Sequence, residues 1–145
     1  MPSSEPPVDQ GTDLAELLGS LRPEMRDGEY VFVSTDHDRA SGLPALAMIA
    51  EHEGVTVVLS RQDAVAEGLD YDYPCRWITL TVHSSLHAVG LTAAFASALA
   101  EEQISCNVLA GFHHDHILVG VAAAERALAT LRKLSGQPTP PESRA

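Results

Sequence analysis

Three imidazoles and a carboxylate stand side by side at His113, His114, Asp115 and His116, inside the stretch "CNVLAGFHHDHILVG". Such a group can bind a metal, move protons, or form the tip of a hairpin. Zinc held by imidazole needs three or four ligands converging at about 2.0–2.1 Å. His114 and His116 are two residues apart and share a face if the chain there is extended, with His83 as a third ligand; His113 and His114 would then point oppositely. No Cys-x-x-Cys spacing accompanies them. Asp and His both tolerate left-handed turn geometry, so a hairpin tip is the expected role, with the metal set His83, His114 and His116 as the alternative.

Nucleophilic chemistry has two thiols to draw on. Cys106 could pair with a histidine, and Cys75 precedes a strand. Cys106 lies between Ile104 and Val108, however, where a free cysteine serves as a small packed residue. His37 and Asp38 in "TDHDR" read as a solvated loop. No nucleophile elbow, phosphate-binding loop or glycine-rich dinucleotide fingerprint occurs. The expectation is a protein without catalytic activity and without a cofactor.

The elements around these residues follow from periodicity. Leu14, Leu17, Leu18 and Leu21 form a helical stripe, which Asp13 and Glu16 would open as a capping box and Pro23 would end. "EYVFVST" (29–35) reads as a buried strand, "DHDRASG" as a loop, and "ALAMIAEHEGVTVVLS" as two strands turned at "EHEG". "RQDAVAEGL" is a short helix stopped by Gly68, and "DYDYP" a polar, aromatic connector between halves. "CRWITLTVH" (75–83) alternates, with Trp77, Thr79 and Thr81 opposite Ile78, Leu80 and Val82. A helix with Leu91, Ala94, Phe95, Ala98 and Leu99 on one stripe follows. Two strands, "ISCNVLAGF" and "ILVGVA", then flank the histidine tip, and a final helix turns Ala127, Leu128 and Leu131 inward. Arg132 and Lys133 near its end suit the helix dipole. Trp77 and Phe95 are read as core or dimer-interface residues.

The second half therefore orders as strand, helix, strand, strand, helix. It lacks one strand of a ferredoxin-like βαββαβ unit, and "EYVFVST" is the natural donor. The expected fold is α+β, two interlocked units with helices on one face of an antiparallel sheet. Residues 1–12 read as a disordered leader, 13–73 as an incomplete first unit, 74–135 as the second unit, and 136–145 as a disordered tail.

Charge narrows the partners. Residues 1–75 carry fifteen Asp and Glu against four Lys and Arg, and residues 76–145 carry five of each, so the net charge of −11 belongs to the first half. An acidic surface repels a phosphate backbone and an anionic bilayer, which argues against nucleic acid and membrane partners. The first residues have neither the basic nor the apolar region of a secretory signal, and two cysteines make no disulfide framework. A cytoplasmic protein is expected.

Three stretches carry a resemblance. "VHSSLHAVGLTAAF", "ISCNVLAGFHHDHILV" and "LRPEMRDGEYVFVST" resemble the ACT domain, in particular a bacterial subgroup of small tandem ACT-like proteins, over roughly residues 14–135. The resemblance implies a regulatory fold that binds small molecules, usually amino acids, and commonly pairs side by side, here as a homodimer. It implies a ligand pocket between the turn His83, Ser84, Ser85, Leu86, His87, Ala88, Val89 and Gly90 and the strand start Cys106, Asn107 and Val108. The serines and Gly90 would hold a carboxylate, as a helix N-terminus can; one serine capping the helix is the plainer alternative. Asn107 and the neighbouring backbone would hold an amine, and Asp115 and His116 would close the site or make dimer contacts. Many ACT domains carry Asp where His83 stands, which implies a different ligand preference. The other readings are a metal-binding protein and a ligand-free dimeric interaction module.

Overall fold

The computed structural model describes residues 10–82 and 89–136, with side chains from residue 14 onward. His83, Ser84, Ser85, Leu86, His87 and Ala88 lie outside the described residues.

Seven strands form one antiparallel sheet. In chain order they are β1 (Arg22–Met25), β2 (Tyr30–Thr35), β3 (Ala47–Glu51), β4 (Gly54–Ser60), β5 (Asp72–Thr81), β6 (Asn107–Ala110) and β7 (Asp115–Gly120). Their spatial order is β3–β4–β2–β5–β7–β6, with β1 also paired to β5. The long strand β5 explains this arrangement. Its start pairs with β2 (Tyr30 opposite Cys75), and its end pairs with β1 (Met25 opposite Ile78, Arg22 opposite Thr81). Along its other edge it pairs with β7 from Cys75 to Leu80.

Two βαββαβ units result, and they share β5. The first runs β2, α2 (His37–Ala40), β3, β4, α3 (Arg61–Ala66) and the start of β5. The second runs from the end of β5 through α4 (Leu91–Glu101), β6, β7 and α5 (Ala124–Leu134), and takes β1 as its fourth strand. The interlocking expected from the sequence is present, but the donor differs. Residues 29–35 open the first unit, and "RPEM" (22–25) completes the second. Pro23 masked that strand, because a proline beside a leucine stripe reads as a helix stop. It is tolerated in β1 because β5 is that strand's one partner among the described residues, so the missing N–H can face away from the ladder. "DYDYP" is likewise no connector: β5 already begins at Asp72.

The helices start and stop on local chemistry. Asp36 caps α2 by accepting from the Arg39 backbone N–H at 2.8 Å, so "DHDR" is a short helix rather than a loop. Ser60 caps α3 through the Asp63 N–H at 3.0 Å. The first helix, α1 (Gln10–Ser20), begins three residues before the expected capping box at Asp13.

Every helix packs on the same face of the sheet. Ile78, Leu80 and Val82 of β5 meet Leu91, Phe95 and Leu99 of α4 and Ala127, Leu128 and Leu131 of α5, with Leu21 fully buried among them. Val31 and Val33 of β2, with Val55, Val57 and Leu59 of β4, receive Ala40 and Ala64 from α2 and α3. The alternate residues Tyr30, Val58, Cys75, Trp77 and Leu118 form a third cluster on the other face, which among the described residues bears no helix. Trp77 and Phe95 are thus both core residues, on opposite sides.

Leu21 joins α1 to β1 and anchors the donated strand in the second unit's core. Leu21→Ala is expected to cost about 2–5 kcal/mol, the usual range for a buried leucine that leaves a cavity. Chemical denaturation followed by Trp77 fluorescence measures it; a loss under about 1 kcal/mol, the level of a surface substitution, would mean that β1 is not a structural part of that core.

Candidate functional site

The start of α4 is the first candidate. Gly90 is the helix N-cap, in the left-handed region at φ 93°, and gives no side-chain capping bond. A glycine tolerates that conformation where other residues are strained. The first N–H groups of a helix have no partner within it and carry a partial positive charge, suited to an anion. The cap position itself is Gly90, and Ser84 and Ser85 lie outside the described residues. The site is hemmed in by α1: a Cβ added to Gly90 would lie 3.3 Å from Leu14 Cδ2. Val89 beside it is exposed.

The strand start Cys106–Val108 lies elsewhere in the same chain. Asn107 stands opposite Leu118, which stands opposite Trp77, whereas β5 leaves the sheet after Thr81. Four residues of strand put these levels roughly 13 Å apart. Asp115, opposite both Leu80 and Ala110, is the predicted residue that shares the end of the sheet with the turn into α4. Asn107 is exposed and belongs to β6, an edge strand. Cys106 is half-buried against the core, and burial pushes its thiol up to about 11. Cys75 is fully buried, donates to the Tyr30 carbonyl at 3.1 Å, and is pushed up to about 12 by the same cause. Neither thiol has the lowered pKa of a nucleophile.

The histidine cluster divides in two. His113 and His114 sit in the turn between β6 and β7, where the Gly111 N–H donates to the His114 carbonyl at 2.9 Å. His114 thereby continues the β6–β7 ladder beyond Asp115, close enough for its charge to act on His116; the third member of the metal set, His83, lies outside the described residues. His116 is in β7 on the helix-free face, and Trp77 Nε1 donates to its Nδ1 at 3.1 Å. Thr79 Oγ1 is 3.1 Å from the same nitrogen. With Nδ1 accepting, the ring proton belongs on Nε2. That Nε2 faces Gly111, where an added Cβ would lie 3.1 Å from it and 2.7 Å from the His114 carbonyl oxygen. Among the described residues no three His, Cys, Asp or Glu side chains gather as a metal site; His83 and His87 lie outside them.

A second concave feature went unread in the sequence. Where β2 parts from β5, a cleft of about 550 Å3 is lined by Phe32, Val33, Ser34, Thr56, Asp70, Tyr71 and Asp72. Its one sequence signal is the acid and aromatic alternation of "DYDY", which reads as a connector until the shared strand is known.

The chain matches models of the ACT domain twice in tandem, over residues 11–76 and 72–133. It belongs to the ACT-domain family. The overlap at 72–76 falls on the shared strand β5. Among solved structures, a Vibrio cholerae protein of unknown function, described as a possible transport protein, is 44% identical with a TM-score of 0.78, covering 86% of this chain and 97% of that one. An Agrobacterium tumefaciens protein aligns at 16% identity and a TM-score of 0.62, over 79% of this chain and 89% of that one. The regulatory subunit of aspartate kinase from Thermus flavus aligns at 9% identity and a TM-score of 0.57, over 79% and 96%. These last two share the fold. No curated protein matches the chain by sequence. ACT domains are regulatory modules that bind small metabolites such as amino acids and often oligomerise. Among the described residues, no helix is long and apolar enough to cross a membrane.

His116 gives this region a pH response. Its pKa is lowered from the ordinary 6.5, chiefly by burial and next by the charge of His114, with Asp115 opposing and Arg26 assisting. A lowered folded-state pKa means that the unfolded chain takes up this proton first as pH falls. Stability from this residue is therefore present above pH 6.5 and lost below it. The Tm of wild type minus that of His116→Gln, measured from pH 7.5 to pH 5, is expected to shrink as pH falls; a difference that stays flat would show that the ring titrates normally.

Proposed function

We propose that this chain is a non-catalytic, cytoplasmic regulatory protein that binds an amino acid or a similar small metabolite and works as a homodimer. The observation that carries the reading is the start of α4 at a left-handed glycine cap in a tandem ACT chain. An eleven-residue helix opens at a left-handed glycine, and the first N–H groups of a helix, which have no partner within it, suit a ligand carboxylate. The turn from His83 to Gly90, with Ser84 and Ser85, forms the carboxylate side.

The amine side comes from a second copy. Within one chain Asn107 lies at the far end of the β5–β7–β6 ladder from this turn. β6 is an edge strand, and an edge with free N–H and C=O groups is a template for pairing. Two copies paired antiparallel about the middle of β6 would set the partner's Asn107 level with Ala110, and so with Asp115 of the first chain. The Cys106–Val108 backbone and Asn107 would then accept and bind an ammonium. Asp115 closes the same end, and His116 supports it from the opposite sheet face through Trp77.

A thermal-shift screen of the twenty amino acids on untagged protein, with and without EDTA, tests this. A ligand at 100 times its Kd raises stability by roughly 2.7 kcal/mol, a shift of several degrees. The expected result is a shift with one or a few amino acids that survives EDTA and is abolished in Gly90→Val. Because a valine is strained at φ 93°, Asn107→Ala on the exposed edge is the second variant; it is expected to lose the shift while keeping the wild-type Tm. No shift with any amino acid, or a full shift in both variants, overturns the reading.

A further inference from the structure

The sheet has two edges, and their charges differ. β6 belongs to the half of the chain that carries no net charge, and β3 is the edge of the first unit. Residues 30–72, from β2 to the start of β5, carry eight Asp and Glu against two Arg. Much of that charge gathers where β3 ends. Ala50, Val55 and Thr35 stand level across β3, β4 and β2, and Glu51, Glu53, Asp36 and Asp38 follow within three residues of Ala50 and Thr35. All four are exposed, and among the described residues none is ion-paired. Arg39, the basic residue of α2, donates from Nη2 to the Glu67 carbonyl at 2.7 Å.

β3 is open to an added strand. An edge strand turns alternate N–H and C=O groups outward without a ladder partner, and natural edges are blunted by lysine, proline or a bulge. The stretch from Ala47 to Ala50 has no charge and no proline, and its register with β4 runs unbroken to Glu51. It is apolar on both faces. Leu46 is 42% exposed and Met48 and Ile49 46% each; Met48 stands opposite Val57 on the helix side, and Ile49 opposite Thr56 on the other. In strand addition, main-chain bonds hold the new segment and alternate side chains select it. A second copy would bring one acidic unit against another, and like-charge repulsion opposes that; the neutral edge β6 meets no such repulsion. We propose that β3 is the docking edge for an extended basic segment of a partner protein, about five to seven residues long. Its apolar side chains lie over Met48 and Ile49, and its Lys or Arg residues meet Glu51 and Glu53. The surface is distinct from the metabolite site and needs no ligand there.

NMR titration of the isotope-labelled full chain tests it, with a seven-residue peptide of alternating Val and Thr that has Lys at both ends. Amide shifts are expected to concentrate on Ala47–Glu51 and to saturate at roughly millimolar peptide. The same peptide with Glu at both ends is expected to bind roughly tenfold more weakly, about what two exposed charge pairs contribute. Met48→Lys, a charge on the exposed edge, is expected to abolish binding while keeping the wild-type Tm and oligomeric state. Glu51→Gln with Glu53→Gln is expected to weaken the Lys-ended peptide to the level of the Glu-ended one. No binding of the Lys-ended peptide, equal binding of the two peptides, or shifts centred on β6 overturns the proposal. So does a dimer lost in Met48→Lys by analytical ultracentrifugation, which would give this edge to a second copy.

Discussion

One strand has to satisfy two ladders. A ferredoxin-like unit needs its fourth strand beside its first, and in this chain β5 is the fourth strand of one unit and the first of the next. Ten residues suffice because the two demands fall on different stretches: Asp72–Cys75 beside β2, and Ile78–Thr81 beside β1. The consequence reaches the N-terminus. Among the described residues no strand follows α5, and residues 22–25 supply the second unit's fourth strand. The buried Leu21 and the α1 stripe against α4 follow from that pairing.

The same constraint distributes the possible binding surfaces. Keeping all helices on one face leaves the turn into α4 at one end of the second unit, with α1 laid beside it. The change of partner along β5 leaves β2 unpaired beyond Phe32, and the cleft of the first unit opens there. Edge strand β6 is left with exposed Asn107, short and free to pair. Each feature is a by-product of how the strands are shared, and each sits where backbone N–H groups, carboxylates or an unpaired edge remain available.

The helix-free face shows how a polar group is held in an apolar setting. Trp77 lies edge-on to Tyr30 at 5.5 Å and to His116 at 5.3 Å, and the Arg26 guanidinium lies 5.4 Å from the Trp77 ring. The indole N–H needs an acceptor in such a place. His116 provides it, which fixes the tautomer, while burial disfavours protonation of the ring. His116 is thereby a hydrogen-bond partner within the sheet.

The sequence by itself determined the alternation of β5, the stripes of α4 and α5, the β3–β4 and β6–β7 hairpins and the ACT resemblance. These rest on periodicity and turn chemistry, which act between residues close along the chain. Tertiary structure alone decided which strand completes the second unit, that "DYDY" starts a strand and walls a cleft, that Gly90 caps α4, and that Asn107 stands a strand's length from that cap. The candidate site was legible in part: the glycine turn could be read from its residues, but its distance from Asn107 could not. These outcomes depend on hydrogen-bond register between strands distant in sequence, and register is set by packing on the sheet rather than by any local pattern.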